Sequence, residues 1–291
     1  MPKSAFVALA GRPSAGKSTL VNALCGEKVS IVTPVPQTTR NTVRGIVNRD
    51  EGQLVLMDTP GFHISGKRLN QRLREVSTEA YADADIVLYL IDATRASGPE
   101  EDELAATLLP AASRLVAAIN KVDSPEAAVE GARSYLSARF PSAPIFELSA
   151  LRGIGLEALV VELFRRSPEG PAWYPPEYYT DQEPVFRIAE IIREKIMLHT
   201  KEELPHAVYV SYEDSSRGDD GSLHASYDLV VERESQKGIL IGKGASMIKR
   251  IREEAEAELA TIFDYEIRLR LSVRVDPDWK KNEKRLRDLI F

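Results

Sequence analysis

Six apolar residues, Ala5-Phe6-Val7-Ala8-Leu9-Ala10, run without a polar break into Gly11-Arg12-Pro13-Ser14-Ala15-Gly16-Lys17-Ser18 and on into Thr19-Leu20-Val21. No other feature limits the fold as tightly. An unbroken apolar run of this length is a strand buried on both faces. The spacing G-x-x-x-x-G-K-[ST] then requires a tight turn whose N–H groups point inward and whose end opens a helix. Strand, glycine turn and helix in that order begin a mostly parallel sheet covered by helices. Such a turn cradles phosphate oxygens, with the helix N-terminus adding partial positive charge. Lys17 would reach the β- and γ-phosphates of a nucleotide, the Ser18 hydroxyl would join the shell of Mg2+, and Thr19 completes the set of contacts.

Short apolar runs recur at 54–57, 86–91, 115–119 and 144–148, with helix-period segments at 69–82, 100–109, 125–139 and 156–166. That alternation predicts an α/β domain over residues 1–166, a mostly parallel sheet with helices on both faces. Residues 167–183 interleave Pro168, Pro171, Pro175 and Pro176 with Trp173, Tyr174, Tyr178 and Tyr179. Proline breaks helix and strand alike, so this is a linker, and its aromatics predict that it packs on a surface. Residues 184–291 then give a helix through Phe186–Ile196, strands at 207–212 and 225–232, a helix at 245–260, an alternating strand at 268–275 and a basic tail from Lys280 to Arg287. This is a second, smaller α+β domain. Two domains are what 291 residues predict.

The phosphate turn alone leaves ATP and GTP open. Asn120-Lys121-Val122-Asp123 follows a buried strand, at the sheet edge where open α/β folds bind ligands. A carboxylate there accepts from guanine N1–H and the exocyclic amine, whereas adenine has no N1 proton and leaves it unpaired. Lys121 would lay its stem over the base, Asn120 would brace the loops, and Ser149-Ala150 would offer a backbone N–H to guanine O6. A third element, Asp58-Thr59-Pro60-Gly61, also ends an apolar run. Asp58 would hold Mg2+ through a water and the Gly61 N–H would bond the γ-phosphate, so that loss of this phosphate releases the segment behind Gly61. Between them lies Pro36-Gln37-Thr38-Thr39-Arg40-Asn41, a polar first switch in which Thr39, in preference to Thr38, completes the metal shell. Lys17, Thr39 and Gly61 are thus the residues expected to act in hydrolysis of GTP to GDP.

In this order over residues 11–150 these elements resemble the translation-factor class of P-loop GTPases. The Gln37-Thr38-Thr39-Arg40 switch and the second domain narrow the resemblance to the Era family, bacterial GTPases of small ribosomal subunit assembly. Phe62 stands where Ras-like enzymes carry a water-orienting glutamine, and an aromatic ring cannot orient water, so slow intrinsic hydrolysis is expected. Some relatives place K+ through an asparagine of the phosphate loop; the matching residue here is Ser14, a shorter side chain that puts potassium activation in question. Arg40 and Arg44 lie where they would neutralise transition-state charge or serve as solvated surface.

Val230 to Ala245 reads strand, helix, glycine loop and second helix, which resembles a KH domain, whose G-x-x-G loop clamps single-stranded RNA. The loop here is Gly242-Lys243-Gly244-Ala245, with alanine in the last glycine position, where a positive φ would be resisted. From Ser235 to Arg252 the basic residues are Lys237, Lys243, Lys249, Arg250 and Arg252 with no acid among them, inside a chain of net charge −6. Bulk polyanion binding is therefore excluded and a local RNA site is expected; Lys237, Gly242, Lys243, Gly244, Ala245, Lys249 and Arg250 are its candidates. Arg268, Arg270 and Arg274 alternate with apolar residues and either extend that surface or face solvent. The family resemblance implies RNA near the 3′ end of small-subunit ribosomal RNA, with tRNA modification or a non-hydrolysing RNA scaffold as alternatives. The single Cys25 forbids an internal disulfide, and His63, His199, His206 and His224 show no metal or triad spacing. No stretch reaches ~18 apolar residues. A monomer in the cytoplasm is expected, any contact with an anionic membrane being peripheral.

Overall fold

The computed structural model describes residues 1–63 and 68–282 and divides them into two compact units, Met1–Val32 with Pro36–Asp181, and Gln182 onward with Thr33–Val35. The basic tail from Glu283 lies outside the described residues.

The first unit holds β1 (Lys3–Ala10), α1 (Lys17–Cys25), β2 (Val43–Arg49), β3 (Gly52–Asp58), α2 (Arg68–Asp83), β4 (Ile86–Asp92), α3 (Pro99–Leu108), β5 (Leu115–Asn120), α4 (Val129–Arg139), β6 (Ile145–Glu147) and α5 (Leu156–Arg166). Its strands form one sheet in the order β2-β3-β1-β4-β5-β6, parallel except for β2. Ala8, Ala10, Val87, Tyr89, Ile91, Ala117 and Ile119 point to one face, where they share a core with Tyr81 of α2, Leu104 and Leu108 of α3 and Leu136 of α4. On the other face α1 meets β2 and β3, and α5 meets β1 and β3. The parallel register sets Leu9 opposite Asp58 and Asp92 opposite Asn120, so the carboxyl ends of β1, β3, β4 and β5 open on a single edge. Ligands of open α/β sheets bind at such an edge.

Sequence periodicity misses β2, because Arg44, Gly45 and Asn48 interrupt its apolar residues. Pairing supplies what pattern lacks: Val43 lies opposite Asp58 and Ile46 opposite Val55 in a hairpin with β3. As the outer strand β2 would expose its backbone donors and acceptors. The proline and aromatic segment covers it. Ile46 N–H donates to Tyr179 C=O at 2.9 Å, Thr180 Oγ1 donates to Arg44 C=O at 2.8 Å, and Asn48 Nδ2 reaches Pro176 and Tyr178 carbonyls. Buried Gln53 anchors the same segment, its Oε1 accepting from the N–H groups of Trp173 and Tyr174 while its Nε2 donates to Tyr174 C=O.

The second unit holds α6 (Pro184–His199), α7 (Leu204–Ala207), β7 (Tyr209–Arg217), β8 (Leu223–Val231), α8 (Glu234–Ile241), a 3-10 turn (Lys243–Ala245), α9 (Ser246–Ile262) and β9 (Ile267–Val275). β8 pairs antiparallel with β7 and parallel with β9, which leaves β9 at an edge. Ile188, Ile192 and Ile196 of α6 and Ile251, Ala255 and Leu259 of α9 are buried at helical spacing, which seats both helices against the core. Trp279 closes the unit: fully buried, it donates Nε1–H to Ala207 C=O at 3.3 Å.

Candidate functional sites

The turn after β1 is braced from four directions. Lys17 Nζ donates to Gly11 C=O at 3.0 Å and Arg12 C=O at 3.4 Å; Phe62 N–H donates to the same Gly11 carbonyl at 3.1 Å. Arg95 Nη1 reaches Pro13 C=O at 3.1 Å, and Asn120 Nδ2 reaches Ala15 C=O at 2.9 Å. Gly16 (φ 97°) has no room for a side chain, since a Cβ would sit 2.3 Å from Asn120 Nδ2. Ser14 is exposed, with φ 65°. Burial lowers the Lys17 ammonium to about 8 against the opposing pull of Asp58 and Glu101. Phosphate charge would restore it.

Three oxygen donors meet beside Lys17. Ser18 Oγ lies 2.9 Å from Thr39 Oγ1, which in turn donates to Asp58 Oδ2 at 3.5 Å. Asp58 is fully buried and its Oδ1 has no hydrogen-bond partner. Burial pushes this carboxyl up, opposed by Lys17 and by hydroxyls including those of Ser18 and Thr39. Thr39 is buried whereas Thr38 is half-buried, and Gln37 takes φ 63° in the same loop. Thr59 turns away from this cluster and donates to Leu9 C=O at 2.7 Å, locking β3 to β1. Gly61 packs against the turn so closely that a Cβ would stand 2.8 Å from Pro13 Cα. Phe62 is buried in the α2–α4 core with Arg74 over its ring at 4.8 Å. Its position gives the site no water-orienting side chain.

At the end of β5, Asn120 joins two loops: besides its bond to Ala15, its Oδ1 accepts the Ala150 N–H at 2.9 Å. Ser149-Ala150 is the pair expected to offer a backbone N–H to guanine O6, and both of its N–H groups have partners within the protein. Ser149 N–H is taken by Ile154 C=O at 3.0 Å. Lys121, with φ 66°, places Nζ 2.6 Å from Asp92 Oδ2. Asp92 is buried, which raises its carboxyl, but hydrogen bonds from Lys121 and Thr94 outweigh burial and the net shift is downward. No motif picks out Asp92; its one signal is its place at the end of an apolar run, as for Asp58. Asp123 stands two residues beyond Lys121, with Arg152 Nε at 3.8 Å.

In the second unit α8 is opened by Gln236, whose Oε1 accepts from the N–H groups of Glu232 and Arg233. The loop between α8 and α9 takes positive φ at three of its four residues: Gly242 (φ 74°, ψ 170°), Gly244 (φ 60°, ψ 32°) and Ala245 (φ 61°, ψ 23°). The alanine therefore adopts the conformation that its Cβ resists. Beside the loop is a groove of about 490 Å3 lined by Ala245, Ile248, Lys249, Arg252, Leu269, Arg270 and Leu271, with β9 as one wall.

Residues 6–121 match the model of a 50S ribosome-binding GTPase family and residues 203–280 that of the KH domain. The GTPase Era of Treponema denticola is 46% identical, the match covering 99% of each chain. The chain belongs to the Era family of GTPases. GTPase Era of Geobacter metallireducens is 40% identical over 99% of this chain and 98% of its own. Among solved structures, a point variant of Aquifex aeolicus Era bound to GDP·AlF4− superposes with a TM-score of 0.93 at 33% identity, covering 99% of this chain and 98% of that one. An Era in complex with MgGDPNP and nucleotides 1506–1542 of 16S ribosomal RNA gives 0.94 at 33% identity, covering 99% of both.

On the α9 face of this Era-family chain the net positive charge is smaller than a count from Ser235 to Arg252 suggests, because that count stops just short of Glu253 and Glu254. Lys249 and Arg252 each lie 3.7 Å from Glu253, and Arg250 lies 2.8 Å from Glu254, which also holds His199. Three of the five cations are thus paired along the helix at the usual i,i+4 or neighbouring spacing. On β9, Arg268 is bound by Asp220 and Glu266 and Arg274 by Asp228, whereas Arg270 lines the groove. Arg252 and Arg270 are groove residues that the glycine-loop motif does not select. Strand alternation gives the signal for Arg270, but pattern alone does not say which arginine of the row faces the loop.

Proposed function

We propose that this GTPase is a nucleotide-operated switch that grips single-stranded RNA near the 3′ end of small-subunit ribosomal RNA and serves assembly of the small subunit. The observation that carries the switch is the meeting of Thr39, from a polar loop, with Ser18 of the phosphate turn and Asp58 of β3. Mg2+ fits this cluster, because Asp58 Oδ1 is buried without a partner beside two hydroxyls, and hard oxygen donors are what the ion takes. Ser18 and Thr39 would hold it directly and Asp58 through a water. When bound, the ion neutralises charge that develops on the β- and γ-phosphates.

The other roles fall to the chain's own residues. N–H groups from Ser14 to Thr19 wrap the phosphates, and Lys17 binds the β- and γ-oxygens. The Gly61 N–H holds the γ-phosphate and loses its partner when that phosphate leaves. Asp123 selects guanine, Lys121 covers the base with Val122 beside it, and Asn120 keeps the Ser149-Ala150 loop in register with the phosphate turn. Because Phe62 is buried, no side chain at that position prepares the water, and hydrolysis stays slow until a partner supplies one. The RNA reading is supported by the groove beside Gly242–Ala245 and by the relative solved with 16S ribosomal RNA. Backbone phosphates would approach Gly242 and Gly244, with Lys237, Lys243 and Arg270 supplying charge.

No helix among the described residues is long and apolar enough to cross a membrane. We place the work of the chain in the cytoplasm, as a monomer, with membrane contact limited to a peripheral surface. Two measurements test the reading. Single-turnover GTP hydrolysis is followed with and without small ribosomal subunits, and the GTP-bound protein is crosslinked to total RNA and the recovered RNA sequenced. Subunit-stimulated phosphate release and enrichment at the 3′ end of small-subunit RNA are expected. No phosphate release under either condition, or crosslinks without such enrichment, overturns it.

A further inference from the structure

The first turns of α3 carry Glu100, Glu101, Asp102 and Glu103, and these carboxylates grip different elements. Glu101 is paired with Arg12 of the phosphate turn, with side-chain exposures of 1% and 7%, and its other oxygen accepts the Tyr89 hydroxyl of β4 at 2.5 Å. Arg12 Nη2 also donates to Ala96 C=O at 3.3 Å, and Arg95 to Pro13 C=O. A buried charge pair of this kind tolerates little displacement, because parting it strands both charges in the core. Helix α3 is thus tied to the phosphate turn through Arg12 and Glu101.

The flanking carboxylates reach His63, next to Phe62, and Arg74 of α2. Glu100 Oε1 meets His63 Nδ1, and Glu103 Oε1 meets Arg74 Nη2, whose guanidinium also covers the Phe62 ring. Phe62 N–H is at the same time bonded to Gly11 C=O. We propose that Glu100 and Glu103 are positioning residues for GTP hydrolysis, fixing Gly61 and Phe62 relative to the phosphate turn through His63 and Arg74. The arrangement they hold is the one in which Ser18, Thr39 and Asp58 converge and Gly61 faces Pro13. The inference rests on the switch reading above. It adds what replaces a lost side chain: with Phe62 committed to the core, placement of the Gly61 backbone is the lever left to the protein, and α3 supplies it. Both clasps are partly exposed, so each contributes little to stability.

The test uses the full chain carrying Glu100→Gln and Glu103→Gln together, with single-turnover GTP hydrolysis, GDP affinity by fluorescent nucleotide, and thermal unfolding measured side by side. GDP lacks the phosphate that Gly61 would hold, so its affinity reports the phosphate turn and the base site without the Gly61 contact. Hydrolysis is expected to fall about fivefold, close to 1 kcal/mol of activation free energy, with GDP affinity and melting temperature unchanged. His63→Ala with Arg74→Met should reproduce that split from the other side of the clasps. Hydrolysis equal to the parent's overturns the proposal, and so does a parallel fall of hydrolysis, GDP affinity and melting temperature, which marks a purely structural role. Thr39→Ala separates the two readings: if it leaves hydrolysis intact the switch assignment itself fails, and if it abolishes hydrolysis while the glutamine pair has no effect only the α3 inference fails.

Discussion

The glycine loop of the second unit permits two substitutions of one methyl group with opposite signs. Ala245 sits at φ 61°, ψ 23° as the residue that opens α9, with no side-chain cap of its own. A Cβ in that region costs about 1–2 kcal/mol relative to glycine. Ala245→Gly removes the cost but frees the unfolded chain, which returns about 0.4–1 kcal/mol. Glycine is also the better residue at a helix N-cap. The net expectation is a gain of about 0.5–1 kcal/mol, or roughly 2–8 °C in the melting temperature of a unit this size. Gly242→Ala runs the other way. Its φ 74°, ψ 170° lies in a region essentially confined to glycine, and its Cβ would stand 2.8 Å from both the backbone N and the Cβ of Met247. Strain of about 1–3 kcal/mol adds to that overlap. Calorimetry on the full chain, with hydrogen exchange to assign the transition to the second unit, measures both. Affinity for a short single-stranded RNA should hold in Ala245→Gly and drop in Gly242→Ala. A lower melting temperature for Ala245→Gly, or a neutral Gly242→Ala, would refute the loop conformation from which both signs derive.

The remaining expectations concern the two sites. Asp123→Asn should weaken GTP binding and improve xanthine-nucleotide binding in competition assays; an unchanged guanine preference means that the base lies elsewhere. Asn120→Ala removes two buried hydrogen bonds, from Nδ2 to Ala15 C=O and from Ala150 N–H to Oδ1. It should cost about 1–3 kcal/mol in nucleotide affinity, with the loss read by titration at fixed Mg2+; a change within twofold would remove Asn120 from the bracing role. Arg270→Ala should lower RNA affinity and reduce the salt dependence of binding by about one contact, while Arg268→Ala, already held by Asp220 and Glu266, should do neither. Equal effects of the two would mean that the groove does not discriminate between them.

Legibility of this chain from its sequence divides along a physical line. Elements that are locally self-sufficient announce themselves: β1, β4 and β5 are buried on both faces and so read as unbroken apolar runs, and the glycine turn is specified by backbone geometry that few other residues can adopt. Strand β2 does not read, because its pairing with β3 and the cover given by Tyr178–Thr180 supply what its own pattern lacks. The linker's aromatics signal packing but not the partner, since edge protection depends on a strand invisible to periodicity. Charge behaves in the same way. A window from Ser235 to Arg252 looks purely basic, yet in a helix the relevant neighbours lie three and four residues on, so Glu253 and Glu254 belong to the same electrostatic unit. Ala245 marks where local propensity yields: alanine resists the left-handed cap, but Gly242 and Gly244 set the path of the loop and α9 begins where packing of Ile251, Ala255 and Leu259 places it. The path of the loop depends on Gly242 and Gly244 more than on a glycine at the last position, so a methyl at this position is a cost in stability and leaves that path intact.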